Sequence, residues 1–208
     1  MLINTYVAGP IDANNYLVYD EKSKEAVLID CSDYIAELVD FVDKNGLTVK
    51  YILLTHGHFD HILGVNSMKE ALRAKVFIHG SDLSMVENLG FQMQMFGFPA
   101  QNDAPQIDDT LQNAGELRIG GNKIEVIETA GHTSGSVSYK IGDVLFSGDT
   151  LFRESIGRTD LPQGNFRDII HSVKEVLFAL DDNVKVYTGH GEPTTIGYEK
   201  KFNEILRY

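Results

Sequence analysis

The segment Thr55-His56-Gly57-His58-Phe59-Asp60-His61 constrains this chain more than any other. Three imidazoles and a carboxylate crowd into one turn, directly after the apolar run Tyr51-Ile52-Leu53-Leu54. Imidazole nitrogen and carboxylate oxygen are the ligands of borderline, Lewis-acidic metals such as zinc. The pattern reads as a buried strand that delivers metal ligands at its carboxyl end. The plain alternative is a polar surface turn that happens to be rich in histidine.

The rest of the sequence argues against that alternative. Ile124-Glu125-Val126-Ile127-Glu128-Thr129 leads to Gly131-His132, Asp143-Val144-Leu145-Phe146-Ser147 to Gly148-Asp149, and Lys185-Val186-Tyr187-Thr188 to Gly189-His190. Ala26-Val27-Leu28-Ile29 ends at Asp30. Short runs rich in Val and Ile, closed by glycine, read as buried strands. Open α/β sheets bind ligands at the carboxyl ends of their strands, so these runs bring polar groups to one edge. The glycine beside each of His132, Asp149 and His190 permits the tight backbone that a crowded centre needs.

Periodicity and turn residues predict strands at 2–7, 15–20 and 25–30, a helix near 34–44 capped by Ser32-Asp33 and closed by Asn45-Gly46, and a strand at 51–55. A helix near 61–73 should present Ile62, Val65, Met68 and Leu72 on one face, followed by a strand at 75–78. Strands at 116–119, 123–128, 136–140 and 143–147 come next, then helices near 166–180 and 197–206. The fold class is therefore α/β.

The motif His56-x-His58-x-Asp60-His61, followed in order by His132, Asp149 and His190, resembles that of the metallo-β-lactamase superfamily of metallohydrolases. The resemblance spans essentially the whole chain. It implies a four-layer αββα sandwich, one domain over 1–208 with similar halves at about 1–108 and 109–208. It also implies a binuclear site, with His56, His58 and His132 on one metal, Asp60, His61 and His190 on the second, and Asp149 bridging. Two zinc ions per chain are expected, with iron or manganese as substitutes. Asp60 and Asp149 are the expected catalytic carboxylates, Asp60 serving both ligation and proton handling. Metal-bound histidines usually donate their other nitrogen to a carboxylate or carbonyl, which assigns Asp30 an orienting role rather than that of a helix cap.

Gly157-Arg158-Thr159-Asp160 looks like the corresponding stretch of hydroxyacylglutathione hydrolases (glyoxalase II) and of their persulfide dioxygenase relatives. Arg158 either pairs with Asp160 to rigidify the loop or contacts substrate. Residues 84–107 carry Met85, Phe91, Met93, Met95, Phe96 and Phe98. They offer an adaptable apolar wall against substrate, with Phe91 and Phe96 as contacts, or core, or a contact between copies in a homo-oligomer. Only a short tail follows His190, so the resemblance is to the short glyoxalase II-like class, without the C-terminal helical domain that holds glutathione in the longer enzymes. The expected function is hydrolysis of a small-molecule thioester. The rivals are an iron-dependent persulfide dioxygenase and a non-catalytic metal-binding module. A β-lactamase fits less well, because the 157–160 stretch points to the thioesterase branch.

Other suggestive residues read more plainly. His79 ends a strand and is expected to be structural, His171 lies in a helix as a packed or surface residue, and Cys31 is expected to be a small buried hydrophobe. A net charge of −12 over 208 residues disfavours binding to a phosphate backbone, so no nucleic-acid partner is expected. No apolar run approaches the ~18 residues of a membrane span, and no signal peptide is visible. With one cysteine, these features give a cytoplasmic protein as the expectation.

Overall fold

The computed structural model describes residues 1–206 apart from Asn102. β1 (Leu2–Ala8), β2 (Ala13–Tyr19), β3 (Glu25–Ile29), β4 (Thr48–Leu53), β5 (Lys75–Ile78) and β6 (Asp109–Thr110) lie side by side in that order. The first three are antiparallel neighbours, and β3 to β6 run parallel. The parallel pairs need crossovers, which are α1 (Ala36–Asn45), then α2 (Phe59–Ile62) with α3 (Val65–Leu72), then α4 (Leu83–Glu87) with α5 (Leu89–Met95). A small hairpin of β7 (Arg118–Ile119) and β8 (Asn122–Lys123) leads to the second sheet. That sheet contains β9 (Glu125–Glu128), β10 (Val137–Ile141) and β11 (Val144–Gly148). A second hairpin follows, of β12 (Leu151–Phe152) and β13 (Ser155–Ile156), and then helix α6 (Phe166–His171). β14 (Lys185–Thr188) and β15 (Thr194–Thr195) complete the sheet in the order β15-β14-β11-β10-β9, and α7 (Ile196–Phe202) covers it.

Alternation along the strands makes the layers. On β2 and β3, Leu17 and Leu28 pack with Leu38, Val42, Val65 and Met68 of the helices. Their neighbours Val18, Val27 and Ile29 face the other way and pack with Tyr139 and Phe146 of the second sheet. On β11, Phe146 joins that inner layer while Leu145 joins Val173, Leu177, Val186 and Ile196 outside. Three apolar layers thus separate helix, sheet, sheet and helix, which is the αββα sandwich. Each fully buried Leu, Ile or Phe stabilises it by about 1.5–3 kcal/mol.

The exit of β4 differs from the expected strand 51–55. The ladder ends at Leu53, and the chain changes partners to reach across the sandwich. The carbonyl of Leu54 accepts the Tyr139 hydroxyl at 2.6 Å, and that of Thr55 accepts the Val137 amide at 2.9 Å. Both donors lie on β10, so the second sheet fixes where the histidine motif begins.

The helix expected over 61–73 is two helices. Gly64 donates its amide to the Cys31 carbonyl at 2.9 Å, and the Cys31 amide donates to the His61 carbonyl at 2.9 Å. These bonds divert the i to i−4 ladder and hold the motif against the end of β3. α1 starts at Ile35 without a side-chain cap, so Ser32 and Asp33 do not cap it. The expected helix 166–180 is helical to Ala179 but widens to a π turn at Ser172–Val176 and tightens at Leu177–Ala179. Ile169, Val173 and Leu177, spaced by four, are all fully buried by this arrangement. The expected strand 123–128 is broken between β8 and β9, and the last helix ends at Phe202 with a tighter turn over Glu204–Leu206. Because β6 pairs with β5, the first sheet runs past the boundary expected at 108. No helix among the described residues is long and apolar enough to cross a membrane.

Candidate metal centre

The seven expected ligands converge at the carboxyl ends of β4, β9, β11 and β14. Three sets of possible ligand atoms each lie within 4.8 Å of one another: His56, His58 and His132; Asp60, His61 and His190; and His56, His61 and Asp149. His58 Nδ1 stands 2.8 Å from His132 Nε2. Asp60 Oδ2 is 3.1 Å from His190 Nε2 and 3.3 Å from His61 Nε2. Asp149 sits between the first two groups, with Oδ1 3.4 Å from His61 Nε2 and Oδ2 3.5 Å from His132 Nε2 and 3.7 Å from His190 Nε2. In each of those two triads, two members come from the first sheet's loops and one from the second's.

His56 Nε2 and Asp149 Oδ1 are buried without a hydrogen-bond partner. Leaving such atoms unpaired costs about 1–3 kcal/mol each, so two in one cluster need a reason. A cation drawn from the zinc-like metals satisfies both, and the mixed nitrogen and oxygen donors suit it. The residues therefore fit the metal pair that the resemblance implies.

A surrounding layer of hydrogen bonds fixes the rings. Asp30 Oδ2 accepts His61 Nδ1 at 2.9 Å, and Asp30 Oδ1 accepts the Thr55 amide at 2.8 Å. The Thr55 hydroxyl donates to Asp30 at 2.9 Å and lies 3.0 Å from His56 Nδ1. One carboxylate thus orients His61 directly and His56 through a hydroxyl, and Asp30 caps no helix. His132 Nδ1 bonds the Arg158 carbonyl at 2.8 Å, and His190 Nδ1 the Asp12 carbonyl at 3.2 Å. Asn14 Nδ2 donates to the carbonyls of Thr188 and Gly191 at 3.0 Å each, and Tyr16 to Thr188 at 2.5 Å, which secures the His190 turn.

Glycine is needed where the backbones meet. A Cβ on Gly189 would stand 2.0 Å from Asp149 Oδ1. Gly148 has φ +48°, and a Cβ there would lie 2.4 Å from the Thr55 hydroxyl oxygen.

The charges follow from this packing. Burial pushes His56 and His58 down, aided by the neighbouring imidazoles, and His58 falls to about 3. Both are neutral at pH 7, with a lone pair free for a metal. Burial opposes charge on His61 as well, but Asp60, Asp149 and Asp30 outweigh it and hold its imidazole well above the ordinary range. Burial would raise Asp60 and Asp149, yet the facing imidazoles, His61 foremost, keep both carboxyls below the usual range. A metal taking His61 must displace its proton.

Two clefts open here. One, of about 410 Å³, exposes Asp60, His132, Asp149 and His190, with Phe152 and Arg158 on its wall. The other, of about 440 Å³, lies beside it and is lined by Met85, Phe91, Met95, Phe96 and Leu161. Arg158 Nε and Nη2 donate to the two carboxylate oxygens of Asp160 at 2.7 Å each, so the loop-bracing ion pair is present. The 84–107 segment divides its roles. Phe91, Met95 and Phe96 form a wall, whereas Met93 is core and Phe98 packs on Phe59. His79 caps a short turn, accepting the Ser81 amide at 3.3 Å. His171 is exposed and Cys31 fully buried, the thiol pushed up by burial.

Asp82 and Gln92 carry no sequence motif, and only the tertiary structure shows their part. Fully buried Asp82 accepts the amides of Gly57 and Gly135 at 2.8 Å and the Thr133 hydroxyl at 2.7 Å, joining the His56–His58 turn to the His132 turn. Gln92 donates to the Gly57 carbonyl at 3.0 Å and accepts the Phe59 amide at 3.1 Å. Asp82→Asn puts an amide against donors and should destabilise the fold by on the order of 2 kcal/mol, read as a lower urea midpoint. An unchanged midpoint would show that the turns do not depend on this carboxylate.

Comparison with known proteins agrees with the geometry. The family model for the metallo-beta-lactamase superfamily matches residues 8–190. Hydroxyacylglutathione hydrolase GloC of Haemophilus influenzae is 34% identical over 93% of this chain and 92% of its own. The crystal structure of BLEG-1 B3 metallo-beta-lactamase superposes with a TM-score of 0.90 at 36% identity, covering 100% of both chains. That of TTHA1623 in a di-iron-bound form gives a TM-score of 0.84 at 35% identity, over 98% of this chain and 100% of that one. With the same sandwich and near-complete overlap, this chain belongs to the metallo-beta-lactamase superfamily.

Proposed function

We propose that the chain is a metal-dependent hydrolase of small thioesters, similar to glyoxalase II, working in the cytoplasm. The observation that carries the reading is the pair of ligand triads meeting at Asp149 on the floor of an open cleft. Its likeness to GloC supports the thioester. His56, His58 and His132 would hold one metal, Asp60, His61 and His190 the other, and Asp149 both. Zinc suits these donors, and iron or manganese are substitutes that the same ligand types accept. Bound there, the metals supply hydroxide at neutral pH and stabilise negative charge on a carbonyl oxygen.

The protein's own groups do the rest. Asp30, Thr55 and the Arg158 and Asp12 carbonyls hold four imidazoles in fixed orientations, so that one ring nitrogen of each is turned inward. Asp60 is kept ionised and lines the cleft beside His190, where it can take a proton from the attacking water. Phe96, Phe152 and Leu161 line the cleft and displace water from the thioester.

The test is thiol release from S-D-lactoylglutathione by the zinc-loaded protein, with zinc, iron and manganese compared. Turnover that follows metal loading supports the reading. No thioester cleavage with any of the three metals overturns it. Oxygen uptake with glutathione persulfide in that case would assign the iron dioxygenase, and cleavage of a cephalosporin would assign a lactamase.

A further inference from the structure

We propose that the cleft between α5 and the 161–163 loop binds an uncharged, apolar arm of the substrate. This rests on the thioesterase reading above and narrows it. The cleft holds about 440 Å³, within the range of small-molecule sites, and the side chains of Met85, Phe91, Met95 and Phe96 dominate it. Phe91 is 62% exposed and Met95 47% exposed, one helical turn apart on the face of α5 opposite buried Met93. Large apolar groups held together at the surface of a cleft mark a binding surface.

The cleft is continuous with the metal centre. His58, Phe96 and Leu161 line both this cleft and the one that exposes Asp60, Asp149 and His190. A thioester carbonyl placed at the ligand cluster therefore has one substituent at the mouth of the apolar cleft. The polar lining of that cleft is neutral: His58, whose imidazole burial keeps uncharged, with Ser84, Asn88, Gln92 and Gln163. Among the described residues Arg158 is the one Lys or Arg lining either cleft, and its guanidinium is committed to both oxygens of Asp160. Glutathione carries two carboxylates, and desolvating a carboxylate without a cationic partner is costly. An aliphatic or aromatic arm meets no such penalty. Either side of the thioester can supply it, an acyl chain or an apolar thiol.

The experiment uses the full, zinc-loaded chain and two series of thioesters. In the first, acetyl, butanoyl and hexanoyl groups are carried by N-acetylcysteamine, a small neutral thiol. In the second, the acetyl group is fixed and the thiol is ethanethiol, butanethiol, hexanethiol or glutathione. A buried methylene contributes about 0.8 kcal/mol, or about fourfold, so kcat/KM should rise about three- to fourfold per methylene in one series. The series that rises identifies which arm enters the cleft. The glutathione thioester should be slower than the better neutral substrate. Phe91→Ala combined with Met95→Ala should flatten the slope to under about twofold per methylene, mostly through KM. Both side chains are substantially exposed, so the thermal midpoint should stay within a few degrees. Turnover without dependence on either chain overturns this proposal alone, as does a glutathione thioester that is tenfold better than every neutral one. No turnover of any thioester overturns both this proposal and the reading beneath it.

Discussion

Asp149→Ala should lower turnover by more than a hundredfold and reduce bound metal from about two ions per chain to less than one. Changes to groups that merely orient ligands already cost about 10–100-fold in affinity or activity. Asp149 faces both triads, so its loss should exceed that. Its two oxygens lie 3.4–3.7 Å from His61, His132 and His190. If Asp149 bridges two dications as proposed, removing the carboxylate would take the negative charge from between them and leave their repulsion without that offset. It also leaves His61 with less to hold its charge in the metal-free state, since Asp149 is one of the carboxylates raising it. Arg158→Ala is the control. Its guanidinium braces a loop from outside, whereas its backbone carbonyl, which the substitution keeps, is what His132 bonds. That variant should retain both metals and lose activity by less than about tenfold. Metal content by elemental analysis and turnover should be measured on both. Near-normal rate and two metals in Asp149→Ala would end the bridging assignment.

Stripping the metals should abolish hydrolysis and lower the melting temperature by about 5–10 °C or more. Protein purified gently should carry close to two ions per chain, zinc foremost. A ligand present at a hundred times its dissociation constant and bound only by the folded form stabilises by about 2.7 kcal/mol. For a domain of about this length each kcal/mol moves the midpoint by about 2–4 °C. The second ion adds to the first. Removal leaves buried His56 Nε2 and Asp149 Oδ1 unpaired and Asp60 facing Asp149 across shared imidazoles. Calorimetry before and after chelation, then after zinc is restored, checks the point. A midpoint that ignores chelation, or protein that holds only trace metal, would mean that the cluster binds no structural ion.

What was legible in the sequence was whatever a strand end announces. The ligand positions follow apolar runs, and such runs deliver their last side chains to one sheet edge. Asp30 was legible for the same reason, as was the pairing of Arg158 with Asp160, two residues apart in one loop. The Arg158 carbonyl, in contrast, bonds His132 through its backbone, which no side-chain pattern reveals. Asp82 was invisible because its three partners lie 25, 51 and 53 residues away. α4 and α5 were hidden among the mixed Met, Phe and turn residues of 84–107. The break at Gly64 depends on a carbonyl from residue 31, so periodicity alone read one helix over 61–73 where tertiary bonds make two.

Neither sheet supplies a complete triad of candidate ligands. Each triad draws two members from the loops of the first sheet and one from those of the second. The cluster is thus a seam, and on the proposed reading metal affinity there would measure how closely the sheets are held. A breathing motion that parts them by an ångström or two would loosen both triads at once, before any strand unravels. Substitutions in the inner layer, at Tyr139 or Phe146 for example, then become changes to the rate of metal escape, although neither side chain is a ligand. The chain's catalytic lifetime would be set in its middle, where no chemistry occurs.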